Sequence, residues 1–134
     1  MTVKCYEDLI VWQLAMKLAN TIYRVTSAFP KSETYGLIIQ MRRAAVSVPS
    51  NIAEGQGRLT RGEFRQFLGT ARGSLFELET QIRIAESMTY LDKTQAATLL
   101  NDAFEVGRIL NGLLASLQPE RAENVEQARP ATNH

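Results

Sequence analysis

The chain has 134 residues, of which 45% are hydrophobic and 22% charged, and its net charge is +1. This is the composition of one ordinary soluble domain, and no apolar run reaches the roughly 18–20 residues that cross a membrane. The only histidine is His134 and the only cysteine is Cys5, so we expect no metal, no cofactor, no internal disulfide and no catalysis. The N-terminus lacks a signal-peptide pattern, which favours a cytoplasmic protein without a membrane partner.

The first predicted helix carries two adjacent apolar stripes and ends at Phe29-Pro30. The main stripe contains Trp12, Ala15, Ala19, Ile22, Thr26 and Phe29, and the second contains Val11, Leu14, Leu18 and Val25. One stripe is enough for a bundle core. The second stripe, with Tyr23, therefore predicts either an interface between copies or a tilted helix that buries both stripes in one subunit.

The second predicted helix begins at Ser32, a good N-cap, and its core stripe contains Leu37, Met41, Ala44 and Val48. Pro49 predicts a kink, with Asn51 donating a hydrogen bond to the carbonyl that the proline leaves without a donor. Gly55 and Gly57 are expected to end the helix.

Two further helices follow, each opened by a capping pattern: Thr60 with Glu63, and Asp92 with Gln95. The core stripe of the third is Phe64, Leu68, Ala71, Leu75, Leu78, Ile82 and Ala85; that of the fourth is Ala96, Leu99, Ala103, Val106, Leu110, Leu113 and Leu117. Gly69 and Gly73 predict close approach of another helix, or room for a bulky neighbour such as Trp12. We predict an all-α, antiparallel up-and-down four-helix bundle with left-handed crossings over residues 1–118, and a flexible polar tail over 119–134.

Charge is divided unevenly along the chain. Residues 40–73 contain six arginines and two glutamates, for a net charge of +4, whereas residues 74–134 carry −4. Spacings of seven place Arg58, Arg65 and Arg72 on one side of a helix, about 10.5 Å apart, with Arg61 beside them. These residues, with Arg42 and Arg43, predict contacts to nucleic-acid phosphates.

An alternative for the arginines is a solvated face, or pairing with Glu77, Glu79 or Glu86 of a neighbouring subunit. No aromatic residue is expected among them, since Tyr35, Phe64, Phe67 and Phe76 are assigned to the core or an interface. Base stacking is therefore not predicted, and binding would be led by phosphates with weak sequence preference.

Glu54 is the candidate carboxylate nearest the arginines. A helix that continues through Pro49 places Arg43, Ser47, Ser50 and Glu54 on one face. A carboxylate between Arg43 and Arg58 is typical of an ion-pair clamp, because arginine binds carboxylates bidentately. We predict this structural role rather than general acid–base catalysis.

Residues 40–58 read QMRRAAVSVPSNIAEGQGR. With Pro49, Asn51, Glu54 and Gly55 at its centre, this segment resembles the signature of the four-helix-bundle family named for 23S rRNA intervening-sequence proteins, which includes the accessory variability proteins of diversity-generating retroelements. Flanking similarities are Leu9–Trp12, Phe29-Pro30 before Glu33, Tyr35–Leu37, Phe64–Leu68 and Ala71–Glu79. The resemblance covers roughly residues 6–117. It implies a bundle without known catalytic activity, pentameric rings and, in retroelement members, association with nucleic acid and a reverse transcriptase.

Together these observations predict a non-enzymatic homo-oligomer, most simply a homopentamer, whose arginine-rich surface binds RNA or DNA, within a larger ribonucleoprotein. The alternative is a structural scaffold that binds itself or another protein and no nucleic acid. In that case the arginines would hold subunits together.

Overall fold

The computed structural model describes residues 5–118, and in this part of the chain there are four α-helices and no strand. Helix α1 spans Ile10–Thr26, α2 Ile39–Gln56, α3 Arg61–Ser87 and α4 Lys93–Ser116. Short 3-10 turns at Tyr6–Asp8 and Lys31–Glu33 and a π-helical turn at Thr34–Ile38 precede α1 and α2. The all-α prediction is confirmed, and the predicted tail at 119–134 lies outside the described residues.

Each helix packs on the next, and α1 also packs on α4, which closes the bundle. Arg42, near the start of α2, bonds to Thr26 at the end of α1, and Arg61, at the start of α3, bonds to Ser116 at the end of α4. These are the contacts expected of consecutive antiparallel helices. The left-handed sense of the crossings stays a prediction.

Helix α1 buries residues of both its apolar stripes inside the single subunit. The buried positions are Val11, Ala15, Leu18, Ala19, Ile22 and Thr26. Leu18 of the second stripe is only 3% exposed, whereas Trp12 of the main stripe is half-buried. The structure therefore agrees with the alternative of a tilted helix, and the prediction of an exposed apolar patch around Leu18 is wrong. Tyr23, 44% exposed, remains on the surface.

The entry into α2 differs from the prediction, because Ser32 caps no helix and lies within a 3-10 turn. Glu33 acts instead: its Oε1 accepts a hydrogen bond from the Leu37 amide at 3.0 Å, and its Oε2 accepts one from the Tyr90 hydroxyl at 2.9 Å. Gly36 leaves room for this carboxylate, since a Cβ there would lie 2.6 Å from Glu33 Oε1.

Helix α2 continues through Pro49 and ends at Gln56, so Gly55 lies inside the helix and Gly57 follows it. The prediction that Gly55 ends the helix is wrong. A Cβ on Gly55 would lie 2.8 Å from Phe67 Cβ and 2.9 Å from Phe64 Cδ1. Gly55 therefore allows α2 and α3 to approach closely.

Gly69 and Gly73 play no such part. Both are exposed on α3, and a Cβ on either would meet no atom within 4 Å. The predicted close packing at these two glycines is wrong for the single chain, because they point away from the buried stripe of α3.

The hydrogen bond of Asn51 also differs from the prediction. Asn51 Nδ2 donates to the Ser47 carbonyl at 2.8 Å and to Ser47 Oγ at 3.0 Å. The carbonyl deprived of a donor by Pro49 is that of Ala45, four residues earlier, so it is not the one that Asn51 satisfies. Ser47 Oγ in turn lies 2.7 Å from Ser74 Oγ on α3, and the three side chains form a polar link between α2 and α3.

Helices α3 and α4 begin where predicted. Thr60 accepts a hydrogen bond from the Glu63 amide at 3.1 Å, and Asp92 and Gln95 exchange both bonds of a capping box. Their predicted core stripes are buried, apart from Phe64, Leu113 and Leu117, which are half-buried.

Candidate functional site

Arg42 holds the start of α2 against the end of α1. Its Nε donates to Thr26 Oγ1 at 2.9 Å, and its second terminal nitrogen donates to the Tyr23 carbonyl at 3.3 Å. The guanidinium also lies 4.6 Å from the centre of the Tyr23 ring. The last carbonyls of a helix lack partners and carry partial negative charge, so a cation at this position stabilises α1.

Arg61 and Arg65 bind carbonyls at the end of α4 in the same way. Arg61 donates to the Ser116 carbonyl at 3.0 Å, and Arg65 Nε donates to the Leu114 carbonyl at 3.4 Å. Both residues belong to the first turns of α3, which lie beside the end of α4. The two arginines therefore fasten α4 to α3.

Arg58 and Glu54 form the predicted ion pair at 2.8 Å, but Arg43 does not join it. The two side chains are 40% and 56% exposed, so the pair contributes about 0–1 kcal/mol. The clamp is thus correct for Arg58 and wrong for Arg43 within the described chain, where Arg43 forms no hydrogen bond or ion pair.

Aromatic rings do lie beneath arginines, contrary to the prediction. Arg58 is 4.5 Å from the centre of the Phe67 ring, and Arg72 is 5.2 Å from that of Phe76. Each stacking contact offers about 0.5–1 kcal/mol at an exposed site and leaves the positive charge uncompensated.

The predicted ladder of arginines needs one correction. Arg58 precedes α3 and stacks on Phe67, whereas Arg61 and Arg65 reach across to α4. Helical geometry places Arg72 on the same side as Arg61 and Arg65. We call these three residues the arginine row, and it keeps its charge because its partners are carbonyls and a ring.

Two adjoining grooves lie between α1 and α2. The first, of about 680 Å³, is lined by Tyr23, Thr34, Tyr35, Ile38, Ile39, Arg42, Arg43, Val46 and Ser47. The second groove, of about 490 Å³, extends to Trp12 near the start of α1 and to Tyr6 in the 3-10 turn before it. It shares Tyr23 and Val46 with the first groove. We call this combined surface the α1–α2 face.

Large apolar side chains are exposed on the α1–α2 face. Tyr35 is 91% exposed, Tyr23 44% and Val46 42%. The π-helical turn that presents Tyr35 is held by Glu33 and Tyr90. This surface was not predicted from the sequence, although Tyr35, Ile39 and Val46 are spaced by four and seven residues and form a second stripe beside the core stripe of α2.

The sequence profile of the 23S rRNA-intervening sequence protein family matches residues 7–112. The chain belongs to this family. The fold is similar to that of a protein of unknown function from the S23 ribosomal protein family of Bacteroides thetaiotaomicron, with a TM-score of 0.71 and 20% identity over 78% of this chain and 98% of that one. No curated protein matches the chain.

In this chain, residues 40–58, which carry the family signature, serve to pack helices. Asn51 bonds within α2, Glu54 pairs with Arg58, and Gly55 admits α3. In residues 5–118 no group of three His, Cys, Asp or Glu side chains could hold a metal ion. No helix of the same part is long and apolar enough to cross a membrane.

Proposed function

We propose that the chain is a non-enzymatic, cytoplasmic scaffold that assembles with copies of itself through the α1–α2 face. The observation that carries this proposal is the exposed apolar surface around Tyr23, Tyr35 and Val46 in two adjoining grooves. Contiguous apolar patches rimmed by polar residues are typical of protein–protein contacts, and Tyr and Arg are enriched in them. The family resemblance favours five copies.

The arginines support a scaffold because three of the six already secure helix ends within the bundle. Arg42 fastens α1, while Arg61 and Arg65 fasten α4. A side chain that is needed for a helix end is less available to a polyanion, since reaching a phosphate would leave backbone carbonyls without that donor.

Light scattering at micromolar concentration tests the proposal. We expect a mass that is a multiple of the 15.0 kDa chain, and a single-chain mass for Val46→Glu. Leu59→Glu is the matched control, because Leu59 is 97% exposed and lines neither groove. A wild-type mass of one chain would contradict self-assembly, and equal masses for the wild type and Val46→Glu would exclude this face.

Nucleic-acid binding is the second candidate, and the arginine row favours it. Arg61, Arg65 and Arg72 lie along one side of α3, and none of them pairs with an acid in the described chain. Such a row suits phosphates of RNA or DNA, within a ribonucleoprotein that could include a reverse transcriptase as the protein partner.

A salt series with short RNA and DNA separates the two candidates. Binding at ~50 mM salt that weakens as salt rises, and is lost in Arg65→Glu with Arg72→Glu, would support nucleic-acid binding. Arg24→Glu with Lys93→Glu changes the net charge equally at distant sites and is the control. Absence of any binding at ~50 mM salt would contradict nucleic-acid binding and leave the scaffold as the remaining candidate.

A further inference from the structure

The π-helical turn at Thr34–Ile38 presents Tyr35 and leads directly into α2. Its backbone leaves helical geometry at Gly36, where φ is −111° and ψ is −111°. Single π-helical turns are rare and occur frequently at functional sites. Because no residue separates the turn from Ile39, the first residue of α2, the geometry of the turn fixes where Tyr35 lies on the α1–α2 face.

This turn is held in part from the connection between α3 and α4. Tyr90, in that connection, donates its hydroxyl to Glu33 Oε2 at 2.9 Å, and its ring lies 5.4 Å from that of the buried Phe29. The other oxygen of the same carboxylate accepts a hydrogen bond from the Leu37 amide at 3.0 Å. We call Glu33, Leu37 and Tyr90 the latch.

The backbone of the α3–α4 connection is strained next to the latch. Thr89, which precedes Tyr90, has a φ of 61°, in the left-handed region that β-branched residues rarely adopt. Within residues 5–118 no other residue except glycine is listed by its geometry in that region. Strain of this kind persists only where surrounding contacts require one conformation. The connection is therefore held in the conformation that brings Tyr90 to Glu33.

An α-helical alternative exists for the residues of the turn. Ser32 is a good N-cap residue and the sequence predicts α2 from that position, although Ser32 caps no helix in the structure. Rewinding the turn as α-helix would extend α2 back to Ser32 and remove the extra residue of the π-helical turn. Tyr35 would then rotate by roughly 100°, the angle that one residue spans in an α-helix. The first groove, which Tyr35 lines, would change shape.

We infer that the latch sets the position of Tyr35 on the α1–α2 face, and that releasing it loosens self-assembly. Glu33 and Tyr90 are positioning residues that act through Tyr35. This inference rests on the self-assembly proposed above and names its regulation, since the contact surface of one hairpin is controlled from the connection of the other. A partner that occupies the Tyr90 hydroxyl would shift the turn to its rewound form and weaken the assembly.

A substitution at Gly36 separates the latch from ordinary stabilisation of the bundle. A Cβ there would lie 2.6 Å from Glu33 Oε1, the end of a flexible side chain, so Gly36→Ala displaces the carboxylate and leaves the core untouched. Alanine also favours the rewound helix over glycine. Light scattering on dilution is expected to show assembly at least tenfold weaker. The urea midpoint, measured at concentrations where each protein is a single chain, is expected to be unchanged or raised.

Gly62→Ala is the matched control for this substitution. Gly62 lies in the first turn of α3, at the opposite end of that helix from Tyr90, and a Cβ there would meet no atom within 4 Å. The control is expected to leave assembly unchanged. Equal weakening by the two substitutions would contradict the latch.

A double-mutant cycle tests whether Tyr90 acts through Tyr35. Tyr90→Phe keeps the ring beside Phe29 and loses only the hydroxyl that binds Glu33. Tyr90→Phe and Tyr35→Ala are each expected to weaken assembly about tenfold. Combining them is expected to weaken it no further than Tyr35→Ala alone, because the latch then has no side chain to position. Asp92→Ala, which removes the neighbouring cap of α4 and spares the latch, is expected to leave assembly unchanged.

The outcomes separate the latch from self-assembly itself. A wild-type protein with the mass of one chain contradicts the proposed function, and with it the control of assembly by the latch. A wild-type oligomer that Gly36→Ala leaves intact, or that Tyr90→Phe weakens equally with and without Tyr35, overturns the latch alone. NMR Cα chemical shifts of residues 32–36 report the turn directly. Helical values are expected in Gly36→Ala, and wild-type values would contradict the rewinding.

Discussion

The two helical hairpins of the bundle are fastened in different ways. The α3–α4 hairpin is fastened by its own two helices, because Arg61 and Arg65 of α3 bond to carbonyls at the end of α4. The α1–α2 hairpin is fastened partly from outside: Arg42 bonds to Thr26 within the hairpin, but Glu33 in its turn bonds to Tyr90, which lies between α3 and α4. The hairpin that depends on an outside residue is also the one that carries both grooves. The difference indicates that the α1–α2 face is shaped by the whole bundle rather than by its own two helices.

The largest effect is expected where the two hairpins join. Gly55→Ala would place a Cβ 2.8 Å from Phe67 Cβ and force α2 away from α3. Overpacking typically costs about 1–3 kcal/mol, and the upper end applies at Gly55 because the atoms in the way include Phe67 Cβ and the Phe64 backbone oxygen, which cannot swing aside. The cost therefore outweighs the roughly 1 kcal/mol that alanine gains over glycine in a helix. Urea denaturation is expected to show a net loss of stability. Gly73 has open space around it, and Gly73→Ala is expected to raise the free energy of unfolding by roughly 0.5–1 kcal/mol. Equal effects at both glycines would contradict close packing of α2 on α3 at Gly55.

Removal of Arg42 tests the attachment of α2 to the end of α1. Arg42→Ala deletes the bonds to Thr26 and the Tyr23 carbonyl, and we expect a loss of about 1–2 kcal/mol in the free energy of unfolding. Arg72→Ala is the control, since Arg72 stacks on Phe76 and fastens no helix end; its effect is expected to stay within about 0.5 kcal/mol. If the two substitutions have the same effect, Arg42 does not secure α1.

Loss of the cap at the start of α4 is expected to have a smaller and more local effect. Asp92→Ala removes the cap of α4, which costs about 1 kcal/mol. Hydrogen exchange is expected to accelerate at the first amides of α4, including that of Gln95, while α1 is unchanged. Lys93→Ala leaves the capping box intact and serves as the comparison. Faster exchange throughout the bundle after Asp92→Ala would show that this cap is not local.

The smallest expected effect is on the pH dependence of stability. Hydrogen bonds from Leu37 and Tyr90 lower the pKa of Glu33 below 4.5. Because the folded pKa is lower than the unfolded one, the carboxylate stabilises the fold above pH 4.5, and this contribution is lost as the pH falls through the folded value. Between pH 6 and pH 3, the midpoint temperature of thermal unfolding is expected to fall less steeply for Glu33→Gln than for the wild type. If the midpoint temperatures of Glu33→Gln and the wild type fall in parallel, the Glu33 carboxylate does not contribute to the pH dependence of stability.

The Tyr90 hydroxyl responds in the opposite sense at high pH. Its bond to Glu33 raises the pKa of Tyr90 above 10.0, so its contribution is present below pH 10 and is lost as the pH rises through the folded value. Tyr90→Phe is expected to abolish this alkaline loss. The same substitution should move the acid limb of the stability curve towards that of Glu33→Gln.

The parts that the sequence could predict are those whose determinants are neighbours in the chain. The starts of α3 and α4 follow from Thr60 and Asp92, each with its partner three residues later. The buried stripes of these helices follow from spacing alone. The start of α2 could not be predicted from Ser32. The side chain that organises the turn before α2 is Glu33, and its partner Tyr90 is 57 residues away.

The candidate site was harder to predict for the same physical reason. The identities of the six arginines were plain, but Arg61 bonds to a carbonyl 55 residues away, which spacing cannot show. Gly69 and Gly73 could have been placed correctly, because they fall off the stripe marked by Leu68, Ala71 and Leu75. Gly55 falls on the buried side of α2, and its contact with α3 depends on how the two helices cross.

The bond between Glu33 and Tyr90 also bears on the order in which the chain folds. It closes a loop of 57 residues, and such a contact forms only after the intervening helices have been brought together. We therefore expect the turn before α2 to be the last region to become ordered and the first to open under native conditions. Hydrogen exchange at the Leu37 amide is expected to be faster than at the buried amides of α3, and Tyr35, which this turn presents, would share its motion.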